Sequence, residues 1–105
     1  MKKISNPIIT NHAEERIIER CGIKKKSVER IVDKVLEKGY SHNQLKGRLK
    51  KWVDGIYLKE RTANNVKLYG DKAYVFVDNK LVTVIQIPQD LMKDFRKMVK
   101  EKKII

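Results

Sequence analysis

The run Gly70-Asp71-Lys72-Ala73-Tyr74-Val75-Phe76-Val77-Asp78-Asn79-Lys80-Leu81-Val82-Thr83-Val84-Ile85-Gln86-Ile87 decides the fold. Asp78-Asn79-Lys80 is a tight turn between two stretches rich in β-branched and aromatic residues, the pattern of a β-hairpin. Gly70-Asp71-Lys72 is a second turn, and Val66-Lys67-Leu68-Tyr69 before it alternates in polarity. Ile56-Tyr57-Leu58-Lys59-Glu60-Arg61, which follows Asp54-Gly55, also alternates apolar and mixed residues and reads as a strand. Four antiparallel strands joined by short turns is the economical arrangement. Pro88 closes the sheet.

Outside this run the apolar period is helical. Asn11 is placed to cap a first helix, with Glu14 three residues on as in a capping box, and Gly22 ends it. Ser27 caps a second helix, in which Val28, Ile31, Val32, Val35 and Leu36 recur as a core-facing stripe until Gly39. A shorter third helix is expected from Asn43 to Val53, with Leu45, Leu49, Trp52 and Val53 inward. Gly47 would weaken that helix by roughly 1 kcal/mol relative to Ala. Asp90 caps a last helix with Leu91, Met92, Phe95, Met98 and Val99 on one face, and Lys93, Arg96, Lys97 and Lys100 on the other. The expected fold is α+β: two to three N-terminal helices packed on one face of a four-stranded antiparallel sheet, then a C-terminal helix, in one domain over residues 1–105.

Charge narrows the function. The chain carries 25 Lys and Arg against 13 Asp and Glu, a net charge of +12 on 105 residues. A field of that size favours polyanions: RNA or DNA first, acidic proteins second and anionic lipid third. The acids are interspersed throughout, unlike a disordered basic tail. One cysteine excludes an intramolecular disulfide, and with two distant histidines it offers no metal-ligand cluster, so no cofactor is expected. Cys21, at the end of an apolar stripe, reads as a small core residue. Met1-Lys2-Lys3-Ile4-Ser5-Asn6-Pro7 lacks the apolar stretch of about 7–15 residues that marks a signal peptide. No run approaches the ~20 apolar residues of a membrane span, so no membrane partner is expected and a reducing, cytoplasmic home fits best.

The first helix carries a candidate site. At 100° per residue His12, Arg16 and Arg20 fall within about 80° of one another, along the lip of the face formed by Ala13, Ile17 and Cys21. Like charges four apart oppose one another on a helix. A proton-transfer group beside two fixed cations suits a phosphodiester, although a charged stripe beside an apolar face is also an ordinary solvated surface. Cleaving RNA without a metal needs a base for the 2′-hydroxyl, an acid for the leaving oxygen and cations for the phosphorane. His12 with Arg16 and Arg20 supplies one half. His42 supplies the other if the third helix begins just before Asn43, because Lys46 and Lys50 then follow it at one-turn intervals. The plainer reading of His42 is a turn or cap residue.

In Lys46-Gly47-Arg48-Leu49-Lys50-Lys51-Trp52, four basic residues adjoin the only tryptophan. Lys46, Arg48, Lys50 and Lys51 are therefore candidate phosphate ligands, and Trp52 either stacks a base or packs in the core. Thr83 is expected to share a strand face with Leu81, Ile85 and Ile87, with Gln86 opposite beside Val82 and Val84. Its hydroxyl either bonds a helix residue, holds a scissile phosphate, or belongs to a good strand former.

His12-Ala13-Glu14-Glu15-Arg16, Arg20-Cys21-Gly22-Ile23 and Val82-Thr83-Val84-Ile85 resemble a pattern in small bacterial and phage proteins: His-Ala-x-x-Arg-x-x-x-Arg-x-Gly-Ile, a Val-rich helix, and a β-meander ending in a Thr-Val-Ile-like strand. That pattern is similar to the barnase/EndoU/colicin/RelE-like superfamily of metal-independent ribonucleases, many of them toxins. The resemblance covers about two thirds of the chain. It implies N-terminal helices against a four-stranded antiparallel sheet, His12 as the acid–base residue, Arg16 and Arg20 as phosphate ligands and Thr83 as a substrate-side hydroxyl. A toxin of this kind would have an acidic antitoxin or immunity protein as partner. The basic segment from Lys46 to Trp52 and the helix after Pro88 depart from the minimal pattern, and either is suited to a binding surface.

The leading expectation is thus a ribonuclease or ribonuclease-toxin-like domain acting on RNA phosphodiesters. Its first rival is a basic binding module without catalysis, of the phage-inhibitor type. The second is a helix-turn-helix DNA-binding protein, with Gly22 in the turn and Ile23, Val28 and Ile31 at packing positions. Against that rival, Glu29, Asp33 and Glu37 would face the DNA, and Ile18 stands where a small residue is usual.

Overall fold

The computed structural model describes residues 8–104, with side chains as far as residue 100. Residues 1–7, expected above to lack a signal sequence, lie outside the described residues.

In chain order the elements are β1 (Ile8–Ile9), α1 (Asn11–Cys21), a 3-10 turn (Lys25–Ser27), α2 (Val28–Lys38), β2 (Tyr40–Ser41), a second 3-10 turn (His42–Gln44), α3 (Gly47–Lys59), β3 (Asn65–Tyr69), β4 (Lys72–Val77), β5 (Lys80–Gln86) and α4 (Gln89–Ile104). The chain is α+β, as its periodicities imply, but the sheet has five strands and is mixed. Its order is β1-β5-β4-β3-β2. The meander β3–β4–β5 is antiparallel, β2 adds antiparallel to β3, and β1 adds parallel to β5.

The expected strand over Ile56–Arg61 is instead the end of α3. Leu49, Val53 and Ile56 lie on one helical face and are all buried, whereas Leu58, an alternating neighbour of Ile56, is 77% exposed. Packing of that helical stripe overrides the short alternation. The start of α3 also moves. Gly47 takes the left-handed φ of +59°, so the chain turns at residues 42–44, extends through Leu45 and Lys46, and only then becomes helical.

The helices cover both faces of the sheet, not one. Ala13, Ile17, Val28, Val32 and Val35 pack with Tyr74, Phe76, Leu81 and Val84 on the α1/α2 side. Leu49, Val53 and Ile56 of α3, with Leu91, Met92 and Phe95 of α4, pack with Val66, Leu68, Ala73 and Val75 on the other. β4 therefore sends alternate side chains into two cores, which explains why Ala73 through Phe76 are all buried and why the run holds no charged residue.

Two local corrections bear on the site. Thr10, not Asn11, caps α1: its Oγ1 accepts from the Ala13 N–H at 3.1 Å and donates to the Leu81 carbonyl at 3.0 Å, tying the helix to β5. Ser27 closes the 3-10 turn before α2 and makes no side-chain cap bond. Along β5 a bulge opposite Val75 and Phe76 breaks the alternation, because Phe76 pairs with Leu81 while Val75 pairs with Thr83. Leu81 thus faces the α1/α2 core, and Thr83 sits with Val75 on the α3/α4 side. Asp90 does not cap α4 either: the helix begins at Gln89, with the Leu91 and Met92 N–H groups bonded to the Pro88 carbonyl, so Asp90 lies within its first turn. The glycine stops hold. Gly22 ends α1 at φ +66°, and Gly39 ends α2.

Candidate nucleic-acid interface

The helical stripe of α1 forms as its spacing requires. His12 is exposed, and Arg16 Nε donates to His12 Nε2 at 3.4 Å while Arg16 Nη1 lies 3.6 Å from Glu19. Arg20 is committed elsewhere. Its Nη1 donates to the Val84 carbonyl at 3.2 Å, covering part of the edge that β5 presents beyond its short pairing with β1. Cys21 is half-buried, with its Sγ 3.6 Å from the Tyr74 hydroxyl, and burial pushes the Tyr74 phenol well above its ordinary pKa.

The two histidines do not converge. His12 rides on α1, which packs against β5, whereas His42 follows β2 at the other edge of the sheet and is fastened to α3. Three strand spacings, about 14 Å, and the sheet itself lie between the two helices' faces. Thr83 lies on the sheet face opposite α1, so it does not join His12 either. Nor does His42 begin a stripe with Lys46 and Lys50, because the chain is extended between the 3-10 turn and α3.

His42 has a different partner, one that sequence reasoning missed. Its Nε2 hydrogen-bonds Asp54 Oδ1 at 2.5 Å, and the edge of its ring meets Tyr57 at a centroid distance of 5.6 Å. The Tyr57 hydroxyl in turn accepts the Val66 N–H at 3.0 Å. A carboxylate on one ring nitrogen holds the imidazole in place and leaves Nδ1 free for another group. The dyad is half-exposed and joins the 3-10 turn at His42 to α3, where Lys50 stands one turn before Asp54. The missing signal was the length of α3: with a strand assigned from Ile56, Asp54 fell in a turn.

Arg48 is engaged in holding the helices together. Its guanidinium forks onto Asp94 with two bonds of 3.3 Å, donates to the Asp90 carbonyl at 3.1 Å and lies 3.9 Å from the Asp90 carboxylate. These contacts join the start of α3 to the start of α4, and the Asp94 bond raises the arginine's pKa further. Lys46, Lys50 and Lys51 are exposed, and none has a carboxylate partner among the described residues. Trp52 is half-buried and packs on the α3/α4 core. Lys46 and Lys97 both line a cleft of about 400 Å³ between α3 and α4.

Joining α3 to α4 in one layer gathers the charge. Residues 46–61 and 89–100 hold ten Lys or Arg and four Asp or Glu, whereas residues 11–38 on the opposite layer hold eight and six. The net positive field is therefore concentrated on the α3/α4 side. Lys93, Arg96, Lys97 and Lys100 were visible in the sequence as the outer face of a helix, but their place beside α3 depends on tertiary packing.

Among the described residues, no group of three His, Cys, Asp or Glu could hold a metal ion. No helix of the described residues is long and apolar enough to cross a membrane. The chain matches no protein-family model, no curated protein and no solved structure.

Proposed function

We propose that this protein binds RNA, gripping the phosphate backbone with the α3/α4 layer. The observation that carries the reading is the segregation of charge, ten cations against four acids on that layer, three of the acids being held by His42 and Arg48. Lysines without carboxylate partners release counterions when they meet phosphates, so affinity falls steeply with salt. The direct test is a binding titration against single-stranded RNA over a range of salt. Replacing Lys46, Lys50 and Lys51 together by Ala should weaken binding and flatten the slope of log K against log salt by about 2 units. If the parent protein fails to bind RNA even at low salt, the reading falls and an acidic protein partner becomes the better candidate for this face.

Cleavage of the bound strand is a second reading, favoured by the His42–Asp54 dyad within the same layer. It keeps the activity implied by the resemblance to metal-independent ribonucleases but moves the acid–base residue from His12 to His42. The His42 Nδ1 would take the proton of a 2′-hydroxyl as that oxygen attacks phosphorus and the bond from phosphorus to the 5′-oxygen breaks, the leaving oxygen taking a proton from solvent water and a 2′,3′-cyclic phosphate remaining. Lys50, one turn from Asp54, would face the charge that builds on the phosphorane. His42→Ala should then lower cleavage about 10²–10⁴-fold in the presence of a chelator, with His12→Ala close to the parent. Intact RNA after prolonged incubation with the parent protein would leave binding as the whole function. A loss in His12→Ala alone would return catalysis to the α1 stripe.

A further inference from the structure

A second, larger cleft lies apart from Lys46, Lys50 and Lys51, where the end of α2, the β2–β3 edge and α4 meet. Its volume is about 900 Å³, at the upper end of the range usual for small-molecule sites. Tyr40 and Phe95 form one wall, edge to face with centroids 5.7 Å apart, and Tyr69 is a further aromatic lining residue. Three cations, Lys38, Arg96 and Lys100, also line the cleft, and none has a carboxylate partner among the described residues. Arg96 and Lys100 are four apart on α4, a like-charge spacing that disfavours the helix until an anion sits between them. The one acid in the lining, Asp71, is already bonded to Lys72 Nζ at 2.7 Å.

This combination is selective. An apolar ligand would leave three cations without a counter-charge, and inorganic phosphate alone would leave the aromatic wall unused. A planar ring carrying a phosphate uses both. The hydroxyls of Tyr40 and Tyr69 make no hydrogen bond among the described residues, so they are free for the polar edge of such a ring.

We propose that this cleft binds a nucleoside monophosphate unit, its base against Tyr40, which is set on the buried Phe95, and its phosphate on Lys38, Arg96 and Lys100. The unit comes either from a free nucleotide or from an unpaired nucleotide of an RNA strand. The site does not depend on the RNA-binding reading of Lys46, Lys50 and Lys51, and its test separates the two.

The full chain is titrated with AMP, GMP, CMP and UMP, and separately with a short single-stranded RNA, while the NMR signals of Tyr40, Tyr69 and Phe95 are followed. Saturable shifts with a mononucleotide identify a free nucleotide as the ligand. Shifts with the RNA alone identify a nucleotide of a strand. In either case Arg96→Ala with Lys100→Ala, both exposed positions, should weaken the response by about tenfold or more. Tyr40→Phe should keep the fold and weaken it less, while Lys50→Ala with Lys51→Ala should leave mononucleotide shifts unchanged. The proposal is overturned if neither probe shifts the three aromatic residues at millimolar concentration. It is overturned equally if the shifts persist undiminished in the Arg96 and Lys100 variant.

Discussion

Lys72 is the only charged side chain buried among the described residues, and Asp71 is what permits it. Its Nζ donates to Asp71 Oδ1, and that bond holds the Asp71 carboxyl below its ordinary value of 3.8. The unfolded chain binds the proton more tightly than the folded one, so Asp71 contributes stability above the ordinary aspartate range. That contribution disappears as pH falls through the lowered value. With Asp71 exposed to solvent screening, the bond contributes about 1 kcal/mol, equivalent to roughly 4–8 °C in melting temperature. Asp71→Asn should therefore melt about that much below the parent at pH 7, and the gap should close below pH 3.8. A gap that persists in acid would show that the variant disturbs the β3–β4 turn and not an ion pair. Single residues were legible in the sequence where a local rule applied, as at Gly22. They were not legible where a partner lay far along the chain, as with Arg48 and Asp94, 46 residues apart.

At the scale of elements, the start of α3 is where local reading and structure part most clearly. A helix running from Asn43 to Val53 would place Gly47 inside it, and replacing an interior Gly by Ala stabilises a helix by roughly 1 kcal/mol. The structure gives Gly47 φ +59°, where an L-residue costs about 1–2 kcal/mol. No atom lies within 4 Å of the Cβ that an alanine would add, so the backbone alone decides the outcome. Gly47→Ala should lower the urea midpoint, by the equivalent of about 1 kcal/mol. A raised midpoint would mean that the helix runs through residue 47 after all. α2 shows the opposite case: its stripe of Val28, Val32 and Val35 was readable at once, because one uninterrupted face meets one core.

Across the whole molecule the two helical layers carry similar numbers of charges but different balances, so position can be tested apart from total charge. Replacing Lys24, Lys25 and Lys26 by Ala on the α1/α2 side removes as much charge as replacing Lys46, Lys50 and Lys51. The first triple should change the salt slope for RNA by less than about 1 unit, since charges beyond a Debye length of about 10 Å are screened. The second should change it by about 2 units. Equal effects from both would mean that RNA associates with the chain without preference for a face.

The amino-acid sequence by itself determined the helical periods of α1, α2 and α4, the hairpin through Asp78-Asn79-Lys80, the glycine stops and the net charge of +12. Each depends on residues near one another along the chain, where backbone geometry and polarity act directly. What only the tertiary structure decided were relations between distant segments: helices on both faces, the parallel pairing of β1, the union of α3 with α4 into one cationic layer, the separation of His12 from His42, and the pairing of His42 with Asp54. The physical reason is that a short apolar pattern such as Ile56 to Leu58 fits either a strand or a helix until burial selects one. Ile56 reaches a core as part of α3, and that choice carries Asp54 to His42.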